Sequence, residues 1–216
     1  MGKLIVIEGS DASGKKTQSN LLSLSLQQHN LKVSRFAFPI YDSPTGRIVS
    51  NYLNGDFGPQ NAIDPKIASI WYMMNRFEHK AAIVDALLDS MVICDRYVES
   101  NLGHQGGKIP DPAKRNEFFE WCEGIEYDDM LLPRPDLGIM LHVPWRISFK
   151  FAAERGAVDG HECDPNHLRM AEESYLQLAK RYKWHIVECT EQDNMMAIET
   201  IAAKVWKIAS GYLNLS

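Results

Sequence analysis

The sequence predicts an α/β protein in which a doubly wound parallel sheet of five strands is flanked by helices. Three observations lead there. Short apolar runs alternate with longer helical patterns along all 216 residues, the order that builds layered sheets and helices. Several runs are apolar on both faces, as strands covered from two sides must be. A glycine-rich turn follows the first run and opens a helical stretch, the junction at which such sheets hold ligands.

Taken in order, LIVI at 4–7 is the first strand. VSRFAF at 33–38, MVICD at 91–95, LGIMLHV at 137–143 and HIVEC at 185–189 are the others. The proline-rich stretch Pro133–Asp136 is a lead-in loop to the fourth strand rather than a linker between domains. Helical periods fill the intervals. In the last of them Ile198, Ile201, Ala202, Val205, Ile208 and Ala209 recur at i, i+3 and i+4. No repeat or low-complexity tract divides the chain, so residues 1–216 read as one domain.

Composition narrows the classes of function. Lysine and arginine number 23 against 28 aspartates and glutamates, a net charge of −5. No basic field therefore points to a nucleic acid or an anionic membrane. The four cysteines, Cys94, Cys122, Cys163 and Cys189, form no C-x-x-C pair. They read as reduced thiols of a cytoplasmic protein. Residues 4–7 are too short for a signal peptide, and no apolar stretch reaches the length of a membrane span.

The segment IEGSDASGKKTQ at 7–18 carries the first chemistry. A phosphate-binding loop needs glycine, four residues, then Gly-Lys-Ser/Thr between a strand and a helix. Gly9, Gly14 and Lys15 keep that spacing, with Ser10, Asp11, Ala12 and Ser13 between the glycines. The hydroxyl position, however, holds Lys16, and the hydroxyl has moved to Thr17. Amides of residues 11–16 can converge on phosphate oxygens at the positive end of the helix. Lys15 places a cation against the outer phosphates, and Asp11 offers magnesium an oxygen. Lys16 reads either as charge for a transferring phosphoryl group or as an exposed lysine beside a turn. A second cluster, Cys94-Asp95-Arg96-Tyr97, ends the third strand. An arginine there suits a second phosphorylated ligand, since it clamps phosphate bidentately. The plainer alternative is a structural Asp–Arg ion pair.

Together with EGSDASGKKTQ, the segments FAFPIY (36–41), NRFE (75–78), DRYVESN (95–101) and LPRPDL (132–137) resemble the thymidylate kinase family, from Lys3 to about Tyr182. The resemblance implies a phosphate-loop kinase fold with a short lid. It also implies transfer of a phosphoryl group from ATP·Mg to deoxythymidine monophosphate. Arg96 is then the residue bridging acceptor and donor phosphates, and Asp95 orients it and helps hold magnesium-bound water. Arg76 faces the thymine carbonyl, and Tyr72, one turn earlier on that helix, stacks on the base. Phe38 and Pro39 line the base pocket, Ser100 and Asn101 reach the base, and Tyr41 touches the acceptor phosphate or sugar. Phe38 and Tyr72 could instead be core aromatics, and Arg76 with Glu78 a solvated helix pair.

The segment Arg155–Asp164 takes the place of the family lid, with Arg155 its single arginine on the ATP side. Glu162 and Asp164 are candidates to assist magnesium or the acceptor. His161, Glu162, Cys163 and Asp164 read as a solvated loop, because no partner ligands stand at metal spacing. One departure concerns the sugar: His104 and Gln105 stand near where the family places an aromatic against the deoxyribose. That leaves selectivity for deoxyribose more open than selectivity for thymine. A homodimer packed through helices is a further implication of the resemblance. A kinase of deoxyuridine or uridine monophosphate, or a silent nucleotide-binding protein, are the alternatives.

Overall fold

The computed structural model describes residues 2–154 and 164–215, with no account of the side chains of 152–154. Its centre is a five-stranded parallel sheet in the order β2-β3-β1-β4-β5. The strands are β1 (Leu4–Gly9), β2 (Val33–Ala37), β3 (Met91–Asp95), β4 (Leu137–His142) and β5 (His185–Glu188). All five lie where the apolar runs predict, with ends shifted by two residues at most. A two-residue hairpin that the apolar pattern does not announce, β6 (Thr190–Glu191) with β7 (Asn194–Met195), turns through Gln192 and Asp193. Both turn residues take positive φ, as tight hairpins require.

Alternation along β1 sends its side chains to two layers. Ile5 and Ile7 join Leu22, Leu26, Ile139, Leu141 and Val205 on one face. Leu4 and Val6 join Val92, Cys94, Ile83 and Tyr97 on the other. Helices α1 (Lys15–Gln28) and α9 (Ile198–Leu213) cover the first face. α4 (Lys80–Leu87) and α5 (Val98–Gly107) contribute to the second. The remaining helices are α2 (Pro44–Asn54), α3 (Pro65–Glu78), α6 (Pro112–Glu123), α7 (Trp145–Glu154) and α8 (Pro165–Tyr182). Four of these start on proline behind a capping side chain: Ser43, Asp64, Asp111 and Asp164. Proline at the first helical position forgoes a donor that would be unpaired anyway, while the cap accepts from the next amides. No helix among the described residues is long and apolar enough to cross a membrane.

Order β2-β3-β1-β4 makes β1 and β3 neighbours with crossovers leaving in different directions. Register pairs Ile7 with Asp95, so the turns after Gly9 and Asp95 emerge side by side. That is the switch point at which open parallel sheets form their crevice.

Candidate active site

The loop after β1 is shaped by close approach. Gly9 has φ 146°, and a Cβ there would lie 2.3 Å from the Leu141 carbonyl oxygen. Ala12 takes a left-handed φ of 62°, and α1 starts at Lys15. The buried Lys15 ammonium folds back among loop oxygens. It donates to the carbonyls of Gly9 at 2.9 Å and Ser10 at 2.7 Å, and to Ser13 Oγ at 3.4 Å. Burial, with the Arg96 charge adding, pulls its pKa down to about 8 against the pull of Asp11, Asp95 and Glu8. Ser10 and Ser13 are buried, whereas Lys16 and Thr17 stand exposed in the first turn of α1.

Arg96 follows β3 with a left-handed φ of 66°, an uncommon backbone for a residue with a Cβ. Its Nη2 donates to Asp11 Oδ1 at 2.5 Å, and its Nη1 meets His104 Nε2 at 2.9 Å. The carboxylate on Arg96 is therefore Asp11, eighty-five residues away, in place of the adjacent Asp95. Asp95 is nearly buried and faces the Lys15 charge. Burial works to raise Asp11, but His104, Arg96 and Lys15 hold it well below the usual carboxylate range. Burial also pulls His104 well below the ordinary histidine value, with Asp11 opposing. Behind the loop lies Glu8, fully buried, which accepts from the Tyr97 amide at 2.6 Å, Ser100 Oγ at 2.7 Å and Tyr175 Oη at 3.2 Å. Burial raises its pKa, while the Ser100 hydroxyl, the Arg96 charge, the Tyr97 amide and the Lys15 charge oppose.

Beside Arg96 opens a cleft. Phe38, Pro39, Tyr41, Tyr72, Arg76, Ser100, Asn101, His104 and Gln105 all line it with Asp11 and Arg96. The structure thus brings these sequence-nominated residues into one space, whereas Asp95, nominated with them, is not part of the lining. Phe38 both belongs to the core and borders the cleft, next to a cis Phe38–Pro39 bond. Tyr72 lies edge-on to Tyr52, and Tyr41 is exposed at the mouth. Asn101 Nδ2 donates to the Ser69 carbonyl at 3.1 Å, and Gln105 Nε2 points at Tyr52 Oη from 3.5 Å. The solvated Arg76–Glu78 pair is not formed: Arg76 is buried against Glu126, and Glu78 accepts from Thr45. Arg155 and Glu162 lie outside the described residues, and Asp164 caps α8 through the Asn166 amide.

Leu53, Tyr97, Glu8 and Glu126 are the site residues that sequence reasoning missed. Glu8 carried a signal, an acidic residue closing an otherwise apolar strand. Glu126 carried none. For magnesium, Asp11 and Asp95 are hard oxygen donors beside the loop. This set fits a cation that one or two carboxylates hold together with ligand phosphates and water.

The chain matches the thymidylate kinase family over residues 7–198. Thymidylate kinase of Plasmodium falciparum is 35% identical over 66% of this chain, a match that spans 62% of that relative's length. The Schizosaccharomyces pombe thymidylate kinase is 29% identical over 97% of this chain and 92% of its own. The Homo sapiens thymidylate kinase is 31% identical over 74% and 68%. A solved structure of thymidylate kinase from Candida albicans shares the fold, with TM-score 0.77 at 23% identity over all of this chain and 94% of the other.

Proposed function

This chain belongs to the thymidylate kinase family, and we propose that it transfers the γ-phosphoryl group of ATP to deoxythymidine monophosphate, giving ADP and the diphosphate for dTTP synthesis. The observation that carries this reading is the position of Arg96, which borders the phosphate loop through Asp11 and the acceptor cleft with its own side chain. Phosphoryl transfer asks a protein to align two anions and neutralise charge rather than to form covalent bonds.

On the donor side, amides of residues 11–16 and the Lys15 ammonium receive the ATP phosphates. Arg155 is the cation nominated from the lid. On the acceptor side, Tyr72 stacks on the base, and Arg76 faces its carbonyl. Phe38, Pro39, Ser100, Asn101 and Gln105 complete the walls, while Tyr41 meets the phosphate or sugar at the mouth. Arg96 bridges the two phosphates. Asp11 and Asp95 are the residues to hold magnesium, directly or through water. When bound, the ion neutralises charge building on the transferring group.

The assembly this reading favours is a homodimer. Ile67, Ile70, Met74 and Phe77 form an exposed apolar stripe along α3, with Val84 and Leu88 exposed nearby in sequence. Their helical spacing sets the α3 residues on one face, a patch that a second copy would cover. A cytoplasmic location accords with the buried free thiols of Cys94, Cys122 and Cys189.

A coupled ADP-release assay across deoxythymidine, deoxyuridine, uridine and other monophosphates tests the function. The highest kcat/KM is expected for deoxythymidine monophosphate. Preference for uridine monophosphate would make the chain a different monophosphate kinase, and turnover with none would leave a silent nucleotide-binding protein.

A further inference from the structure

The imidazole of His104 is placed to serve Arg96 rather than the ligand alone. Arginine has donors only, so the ring nitrogen facing Nη1 at 2.9 Å must be the one that carries a lone pair. The proton of the neutral ring then sits on Nδ1. Asp11 takes Nη2 at 2.5 Å, so the two terminal nitrogens of one guanidinium are held by two separate elements, the loop after β1 and helix α5. The ring is itself pinned. His167 of α8 lies parallel to it at 5.8 Å and 10°, and Tyr175 of the same helix meets it edge-on at 5.5 Å and 88°.

The two holders differ in what happens when a phosphate arrives. Asp11 is an anion, and an incoming phosphate competes with it for Nη2 and is repelled by it. His104 as an uncharged acceptor does neither. It can keep Nη1 fixed while Nη2 changes partner, so the guanidinium pivots about an anchored end instead of swinging free. A flexible arginine loses side-chain entropy when it is ordered, and a fixed end removes part of that cost before the chemical step.

We propose that His104 is a positioning residue, accepting from Arg96 Nη1 so that the guanidinium stays aimed between loop and cleft when Asp11 releases Nη2. The proposal rests on the kinase reading for its kinetic consequence, but the contact itself can be read without turnover.

The test compares His104→Gln, which keeps an acceptor, with His104→Leu, which fills similar space without one. Hydrogen bonds to charged groups carry enough free energy for a loss of about 10- to 100-fold. His104→Leu is expected to lower kcat by that factor with the ATP KM within about threefold of wild type. His104→Gln restores kcat to within about threefold. Equal impairment of both variants, or wild-type kcat in His104→Leu, overturns the proposal. In parallel, guanidinium resonances of Arg96 in the ligand-free protein report the contact directly by NMR. The Nη1 protons, which face His104 while Asp11 holds Nη2, should keep a hydrogen-bonded shift in wild type and His104→Gln, and lose it in His104→Leu. Unchanged Arg96 resonances in His104→Leu also overturn it. Should the wild type phosphorylate nothing, the kinase reading fails by itself, and the NMR comparison still decides whether His104 holds Arg96. Thermal melts of both variants check that each is folded.

Discussion

Arg76 and Glu126, fifty residues apart, form a two-point ion pair sealed from solvent: Nε donates to Oε2 at 2.5 Å and Nη2 to Oε1 at 2.7 Å. Their side chains are 2% and 0% exposed. The third contact, Nη1 to the Tyr97 carbonyl at 3.2 Å, ties the same guanidinium to the start of α5. Burial pushes the Glu126 carboxyl up and Arg76 opposes it. Glu126 reaches the pair from the π-helical turn Gly124–Asp129, which continues α6.

Removing one member of such a pair leaves the other charge buried and uncompensated, at a cost of about 3–5 kcal/mol. Glu126→Ala is therefore expected to lower the melting temperature sharply. Its acceptor KM should rise more than its ATP KM, because Arg76 borders the acceptor cleft alone. Urea titration and steady-state kinetics check both parts. A variant as stable as wild type would show that the pair contributes no net stability.

Lys15 and Arg96 should separate in a different way. Single electrostatic donors at a reacting centre are worth about 3–4 kcal/mol, so Lys15→Ala and Arg96→Ala are each expected to lose turnover by about two to three orders of magnitude. Arg96 is partly exposed and Arg96→Ala should melt near wild type. Lys15 bonds three loop oxygens, so Lys15→Ala should also loosen the loop and weaken ATP binding. Near-normal turnover in either variant would move the reaction elsewhere.

Lys16→Thr tests the altered loop by the sign of its effect. The change restores the usual hydroxyl at an exposed position in the first turn of α1. If Lys16 supplies charge to the transferring group, turnover falls even at saturating magnesium, because Asp11 already offers the ion an oxygen. This is the expected result. An equal or higher rate across a magnesium titration would mark Lys16 as a drifted surface residue.

His142 makes a pH-dependent prediction about stability. Its ring bonds Glu172 at 2.8 Å and Glu188 at 2.7 Å, and a ring that donates from both nitrogens is the imidazolium. The Glu172 hydrogen bond lifts its pKa, burial opposes, and Glu188 adds to the lift. A pKa raised on folding gives stability that is complete below the unfolded value of about 6.5 and fades as pH climbs through the folded value. Melting of wild type against His142→Gln from about pH 5.5 to 8.5 should show the gap closing with rising pH. A gap that is flat or widens would exclude the charged pairing.

The sheet is readable in the chain because strands buried on both faces leave dense apolar runs; MVICD at 91–95 coincides with β3 residue for residue. The four Ser-Pro and Asp-Pro helix starts carry a local signal that the apolar runs do not use: a capping side chain followed by proline opens α2, α3, α6 and α8. The cleft residues follow from motifs, but motifs state neighbours in sequence. Asp95 adjoins Arg96 in the chain, yet the side chain on the guanidinium is Asp11, brought there by the β1–β3 pairing. Glu126 is out of reach for the same reason, and the π-helical turn that delivers it has no strong local pattern.

Helix α5 also fixes how force passes through the molecule. A Cβ at Gly103 would sit 2.4 Å from the Tyr175 ring, and one at Gly107 3.0 Å from the Ala171 nitrogen. α5 and α8 are thus pressed together along a seam with no room for sliding, at a cost in helix propensity of roughly 1 kcal/mol per glycine. α5 walls the acceptor cleft, while α8 begins at Pro165, just past residues 155–163. The two helices act as one strut. A displacement at Pro165, the first residue of α8, is therefore expected to carry with it the α5 residues that line the cleft, among them Ser100, Asn101 and His104.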